Sequence, residues 1–189
     1  MTRSINVFTP VVVVAQGETF NWVVQPAEIP PGDASVNVES GSWPLPDDEY
    51  IVSPTSAQSV TVPTSADPGT YTFECDPPDP NVTSQTLVVI AQLAGDPCQG
   101  ATVQPGGYFI WVNEDPESAF ISPDPGNTNF WPLPDDQYEV PPNDWLVLKV
   151  ADNAQPGEYN LVVTKPHGRG RCPQAGQPKI IVGSGTTGS

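Results

Sequence analysis

Trp43-Pro-Leu-Pro-Asp-Asp-Glu-Tyr50 returns 88 residues later as Trp131-Pro-Leu-Pro-Asp-Asp-Gln-Tyr138, with one residue changed. The same offset carries Asp67-Pro-Gly-Thr-Tyr71 onto Gln155-Pro-Gly-Glu-Tyr159. Upstream, Phe20-Asn-Trp22 falls on Phe109-Ile-Trp111 at an offset of 89, so one residue has entered after the Gln16 and Gln104 pair, a slip that a turn absorbs. A period of this length is too long for a solenoid repeat and fits a duplicated domain. The expected organisation is a first domain over 1–92, its duplicate over 93–183, and a flexible Gly-Ser-Thr tail over 184–189.

The chain has 189 residues, so each half is near the size at which one core becomes self-sufficient. Its 25 prolines and 16 glycines break any long 3.6-residue periodicity. Between them lie short runs rich in strand formers: residues 10–14, 20–24, 59–62 and 70–73 in the first half, and 108–112, 145–150, 159–163 and 179–182 in the second. Such strands, separated by rigid turns, predict an all-β chain of two tandem antiparallel Greek-key β-sandwiches.

The order of signals resembles the cupredoxin fold of plastocyanin and azurin type, with an immunoglobulin-like sandwich as the alternative. Residues 11–23 and 101–113 look like the family's opening hairpin: a strand, a Gly turn, then an aromatic strand. Asp67-Pro-Gly-Thr-Tyr-Thr-Phe-Glu-Cys75 looks like the strand that delivers the copper-binding cysteine. A type I copper centre needs two imidazoles and a thiolate with a weak axial ligand, and the chain has one histidine. Pro78 stands where the resemblance implies a histidine, Val163 where it implies the second cysteine, and His167 lies one residue beyond its expected place. The resemblance thus implies sandwiches that do not retain the copper ligands, and neither metal nor cofactor is expected.

Cys75 is read as a small buried hydrophobe in a core strand; neighbouring Glu74, Asp76 and Asp79 raise a thiol pKa and disfavour redox use. Cys98 and Cys172 flank the second half. A disulfide between them would close a loop of more than 70 residues and contribute roughly 4 kcal/mol by the chain-entropy argument. Two reduced thiols are the other reading.

A net charge of −16 disfavours nucleic acid and acidic membrane surfaces as partners. Residues 1–92 hold eleven acids and one base, whereas residues 93–189 hold eleven acids and five bases. After Glu158 no acid remains, and Lys165, His167, Arg169, Arg171 and Lys179 form a candidate docking patch. A patch that meets an acidic half on another copy makes a heterologous contact, and so a ring or filament. The alternative is that these charges solvate a Gly-rich loop. No secretory signal is read at the first residues and no stretch is long enough to span a bilayer, so membrane insertion is not expected. Scarce lysine, abundant Pro, Thr and Ser and the candidate disulfide nevertheless favour an extracellular, cell-surface or particle-associated location over the cytoplasm.

The proline-stiffened loops carry the remaining candidates: Trp43, Asp47 and Asp48, with their copies Trp131, Asp135 and Asp136. Either each Trp plugs its sandwich and the Asp pair caps a turn, or the Trp anchors a protein partner or stacks on a sugar ring with the Asp pair as hydrogen-bonding groups. The loops lack the spacing of a calcium loop, and adjacent acids do not face each other across a cleft as glycoside hydrolysis requires. There is no nucleophile elbow, phosphate loop or dinucleotide fingerprint. The sequence therefore predicts a non-enzymatic structural or protein-interaction module, self-associating head to tail. A carbohydrate or cell-surface binding module is the alternative, and electron transfer or copper carriage a disfavoured third.

Overall fold

The computed structural model describes residues 2–24, 32–38, 43–78, 85–91, 96–127, 130–164 and 178–183. Two compact units divide the chain, Met1–Gln92 and Leu93–Ser189. The tail assigned to 184–189 lies outside the described residues.

In the first unit the strands are β1 (Arg3–Asn6), β2 (Val11–Ala15), β3 (Thr19–Val23), β4 (Ala34–Val38), β5 (Glu49–Val52), β6 (Gln58–Thr61), β7 (Gly69–Asp76) and β8 (Gln85–Ile90). They form a three-stranded sheet β1-β3-β6 and a five-stranded sheet β2-β8-β7-β4-β5. The second unit opens with a 3-10 turn, Pro97–Gln99, followed by β9 (Ala101–Val103), β10 (Tyr108–Asn113), β11 (Ala119–Pro123), β12 (Tyr138–Val140), β13 (Asp144–Lys149), β14 (Gly157–Thr164) and β15 (Lys179–Val182). These give a pair β10-β13 and a five-stranded sheet β12-β11-β14-β15-β9.

The sandwiches are all-β, as expected, but their sheets are mixed rather than wholly antiparallel. β2 runs parallel to β8, β9 parallel to β15, and β1 parallel to β3. The second half thus brings its opening strand beside its closing one, and the first half sets its second strand, β2, beside its closing one, which ties the two ends of each sandwich together with ladder hydrogen bonds.

Period-two burial drives the layering. Along β7, Phe73 and Cys75 point inward while Thr72, Glu74 and Asp76 face solvent. On β3, Phe20 and Trp22 share the inner face and meet edge to face, with ring centroids 5.0 Å apart at 86°. On β10, Phe109 and Trp111 repeat the pair at 5.0 Å and 76°. Both tryptophans are fully buried at the centre of their cores. Truncating such an aromatic to alanine costs about 3–5 kcal/mol.

The one-residue slip between the halves is the extra Pro105. Gly17 and Gly106 occupy the same turn with φ of 76° and 74°, a conformation in which a Cβ is strained. A Cβ on Gly106 would also stand 2.5 Å from Asp152 Oδ1.

Candidate functional site

The repeated octapeptide folds the same way twice. Its Pro-Leu pair, Pro44-Leu45 and Pro132-Leu133, is buried, and Asp47, Asp48, Asp135 and Asp136 are exposed. The closing tyrosine is buried beneath the loop, where its hydroxyl accepts from the first Asp backbone amide: Asp47 N to Tyr50 Oη at 3.0 Å and Asp135 N to Tyr138 Oη at 2.7 Å. Burial raises both phenol pKa values above their ordinary range, while the amide donors pull the other way. Each Trp is half-buried against its core.

A second tie lies beside each loop. Tyr71 Oη donates to Asp67 O at 2.6 Å, and Tyr159 Oη donates to Gln155 O at 2.5 Å. This tyrosine corner, a phenol reaching back four residues to the backbone, pins the entry to β7 and β14. The sequence displayed it as the recurring Pro-Gly-x-Tyr without disclosing the bond.

Equivalent parts differ at the loop itself. In the second half, Trp131 Nε1 donates to Asp135 O at 2.8 Å, and Ala151 N donates to Pro132 O at 2.9 Å, which stitches the loop to the end of β13. Tyr159 is fully buried. In the first half the residue matching Ala151 is Pro63, which has no N–H to give Pro44. Trp43 Nε1 is buried without an acceptor, although the core pair Trp22 and Trp111 share that condition. Tyr71 is half-exposed and meets Trp43 edge to face at 6.4 Å and 87°. Between loop and strand end an open cavity of about 270 Å³ is lined by Trp43, Pro44, Pro63, Ala66, Asp67 and Tyr71, among others.

Of the candidate docking patch, Lys165, His167, Arg169 and Arg171 lie outside the described residues. Lys179 is engaged within its own sheet, 2.6 Å from Glu158 Oε2. Cys98 is disulfide-bonded, and Cys172 lies outside the described residues.

The residues that the resemblance would place at a copper site do not fit copper. Cys75 is a free, buried thiol that donates to Val7 O at 3.1 Å, and burial pushes its pKa up to about 11. A thiol so placed stays protonated and is a poor ligand and nucleophile. Gln85 Nε2 donates to the same carbonyl at 2.6 Å. Among the described residues no three of His, Cys, Asp and Glu gather as a metal-holding group.

Sequence reasoning missed an ion pair in the interior. Arg3 on β1 lies 2.9 Å from Glu18 Oε1, with side chains 13% and 1% exposed, and also donates to Val13 O on β2. Glu18 Oε2 accepts from Ala15 N at 2.8 Å. Desolvation raises the Glu18 pKa more than Arg3 and the amide lower it. The only trace in the sequence was that Arg3 is the sole base among residues 1–92.

The chain matches no family model, and no curated protein matches it. Among solved structures it is similar to a mutant of amicyanin in its reduced Cu(I) form, at 20% identity over 47% of this chain and 82% of that one, with a TM-score of 0.34. It is similar also to copper nitrite reductase from Nitrosomonas europaea, at 13% identity over 92% and 82%, TM-score 0.31, and to a domain of intimin, at 12% over 90% and 91%, TM-score 0.25. The strand order gives two β-sandwiches in tandem, one in each unit.

Proposed function

We propose that the chain is a non-enzymatic structural and protein-interaction module of a larger extracellular, surface or particle assembly, and that it associates with copies of itself head to tail. The observation that carries this reading is the polarity of charge. One half holds eleven acids against a single base, and that base is consumed by Glu18, while four of the chain's six bases lie beyond the last acid. Unlike patches on one molecule attract between molecules and give heterologous contacts. The measurement that tests it is the sedimentation of the full chain over a range of concentration at low and high salt. Multimers that dissolve as salt screens the charges are expected; a monomer under every condition sinks the reading.

A second reading, a carbohydrate-binding module, draws on the open aromatic cavity at Trp43. It requires glycan-array binding that Trp43→Ala abolishes and Trp131→Ala leaves in place, because the second loop is closed by its own hydrogen bonds.

A further inference from the structure

The geometry points to the cavity between Trp43, Pro63 and Tyr71 as the receptor for the basic 165–179 stretch of a second copy. This deepens the head-to-tail reading and rests on it. Four differences between equivalent positions set the rim of this cavity apart from the matching place in the second half. Pro63 removes the donor that Ala151 uses to hold its loop shut. The Trp43 indole has no acceptor, whereas that of Trp131 is satisfied. Tyr71 is half-exposed where Tyr159 is sealed. At the rim, Asp67 replaces Gln155. Position by position, the first half has exchanged internal closure for an open aromatic and proline surface edged by a carboxylate.

Charge selects the occupant. Asp67 lies at the cavity, and Asp47 and Asp48 on the adjoining loop and Glu49 at the start of β5 are exposed. Outside one stretch a second copy carries 22 acids against two bases, so its charged surface is mostly repelled. The stretch Lys165-Pro-His-Gly-Arg-Gly-Arg-Cys-Pro-Gln-Ala-Gly-Gln-Pro-Lys179 is the exception, with four bases, of which Lys179 is paired with Glu158 of its own sheet, three prolines and no acid. Aromatic surfaces accept proline rings at low entropic cost and arginine guanidinium groups by stacking. Because cavity and stretch belong to different halves, each copy can give one and receive one, and the contact propagates.

The test is sedimentation of full-length variants at low and high salt. Asp67→Lys places a like charge at the rim and is expected to weaken association by about tenfold or more. Gln155→Lys, the same change at the matching place, is expected to leave it unaltered. The fold tolerates both, since the tyrosine corners use only the backbone carbonyls of these residues. Pro63→Ala restores the missing N–H and is expected to close the cavity and weaken association without loss of thermal stability. Mixing Asp67→Lys chains with Arg169→Glu/Arg171→Glu chains leaves one working cavity and one working stretch per pair, and is expected to give dimers and nothing longer. If the unaltered chain associates in a salt-sensitive manner but Asp67→Lys and Pro63→Ala associate equally well, the cavity is overturned and head-to-tail association stands. If the mixed variants give no dimers, the pairing of cavity with stretch is overturned. A chain that is monomeric throughout overturns both.

Discussion

The two halves share a core and differ in how their margins are fastened. Trp22 and Trp111 meet their phenylalanines edge to face at the same centroid distance of 5.0 Å, one solution of one packing problem used twice. At the entrance, the first half uses β1, held beside β3 by ladder bonds and by the buried Arg3–Glu18 pair. The second half has a 3-10 turn there, capped by the Asp96 side chain, and a disulfide at Cys98. At the loop the contrast reverses: the second half is stitched and the first is open. Duplicated sandwiches evidently keep what excludes water from the centre and diverge where fastening is optional, since a core tolerates few exchanges and a rim many.

The largest way to break this comparison is to remove one partner of the buried pair. Glu18→Ala removes the carboxylate beside the largely buried Arg3 guanidinium and is expected to destabilise the first half by about 3–5 kcal/mol. Hydrogen exchange resolved by segment should show the loss in β1, β3 and β6 and none in β10 or β13. Replacing the pair together, Arg3→Met with Glu18→Leu, removes both desolvation terms and should recover most of that loss. A single loss no larger than about 1 kcal/mol would mean that water reaches the pair.

The corresponding lesion in the second half is Cys98→Ser. Opening a covalent loop is expected to cost about 2–4 kcal/mol, confined to β9–β15. Chemical denaturation of the variant should separate two transitions, the lower belonging to the second half. An unchanged second-half transition would assign its fastening to the 3-10 turn and the β9–β15 ladder alone.

Much of this was legible before any coordinate. The eight apolar runs read from the sequence fall on β2, β3, β6, β7, β10, β13, β14 and β15, because an alternating or continuous β-branched run bounded by Pro and Gly has few other uses. β4, with Ser35 and Asn37 on its outer face, and the three-residue β9 and β12 offered too little contrast. Strand direction was invisible too, since the parallel union of β2 with β8 joins segments some 70 residues apart and no local pattern encodes it. The Trp43 and Trp131 loops announced themselves by repetition. What separates them is a hydrogen bond that Pro63 cannot make and Ala151 can, a difference visible only once the two residues are known to face the same carbonyl position.

That bond offers a finer test. Ala151→Pro removes the donor to Pro132 O and should cost the second half about 1 kcal/mol, the ordinary net value of a hydrogen bond. The same variant should raise the exposure of Trp131, read as a red shift and stronger quenching of its fluorescence. Tyr159→Phe should cost a similar amount, and Tyr71→Phe only a few tenths, because at the half-exposed site water replaces the lost phenol.

The smallest expected effects are slopes of stability with pH, and they separate the halves without a lesion. Glu18 is the one buried acid among the described residues, and burial raises its folded pKa. In acid both folded and unfolded chains hold its proton. As pH rises the unfolded chain releases the proton first, so the first half should lose stability from the ordinary carboxylate range up to the raised folded value, then level off. A second slope belongs to Cys75, whose pKa climbs from 9.0 to about 11 on burial. Between those values the unfolded thiol ionises while the folded one does not, so stability falls again with rising pH. Cys75→Val installs the residue that the second half carries as Val163, in a position buried in both. It should remove the thiol's share of the alkaline slope and leave the acid one. An alkaline slope that survives in Cys75→Val would have to come from the buried tyrosines Tyr50, Tyr138 and Tyr159, whose pKa values are also raised by burial. Segment-resolved exchange would then place it in both halves rather than one.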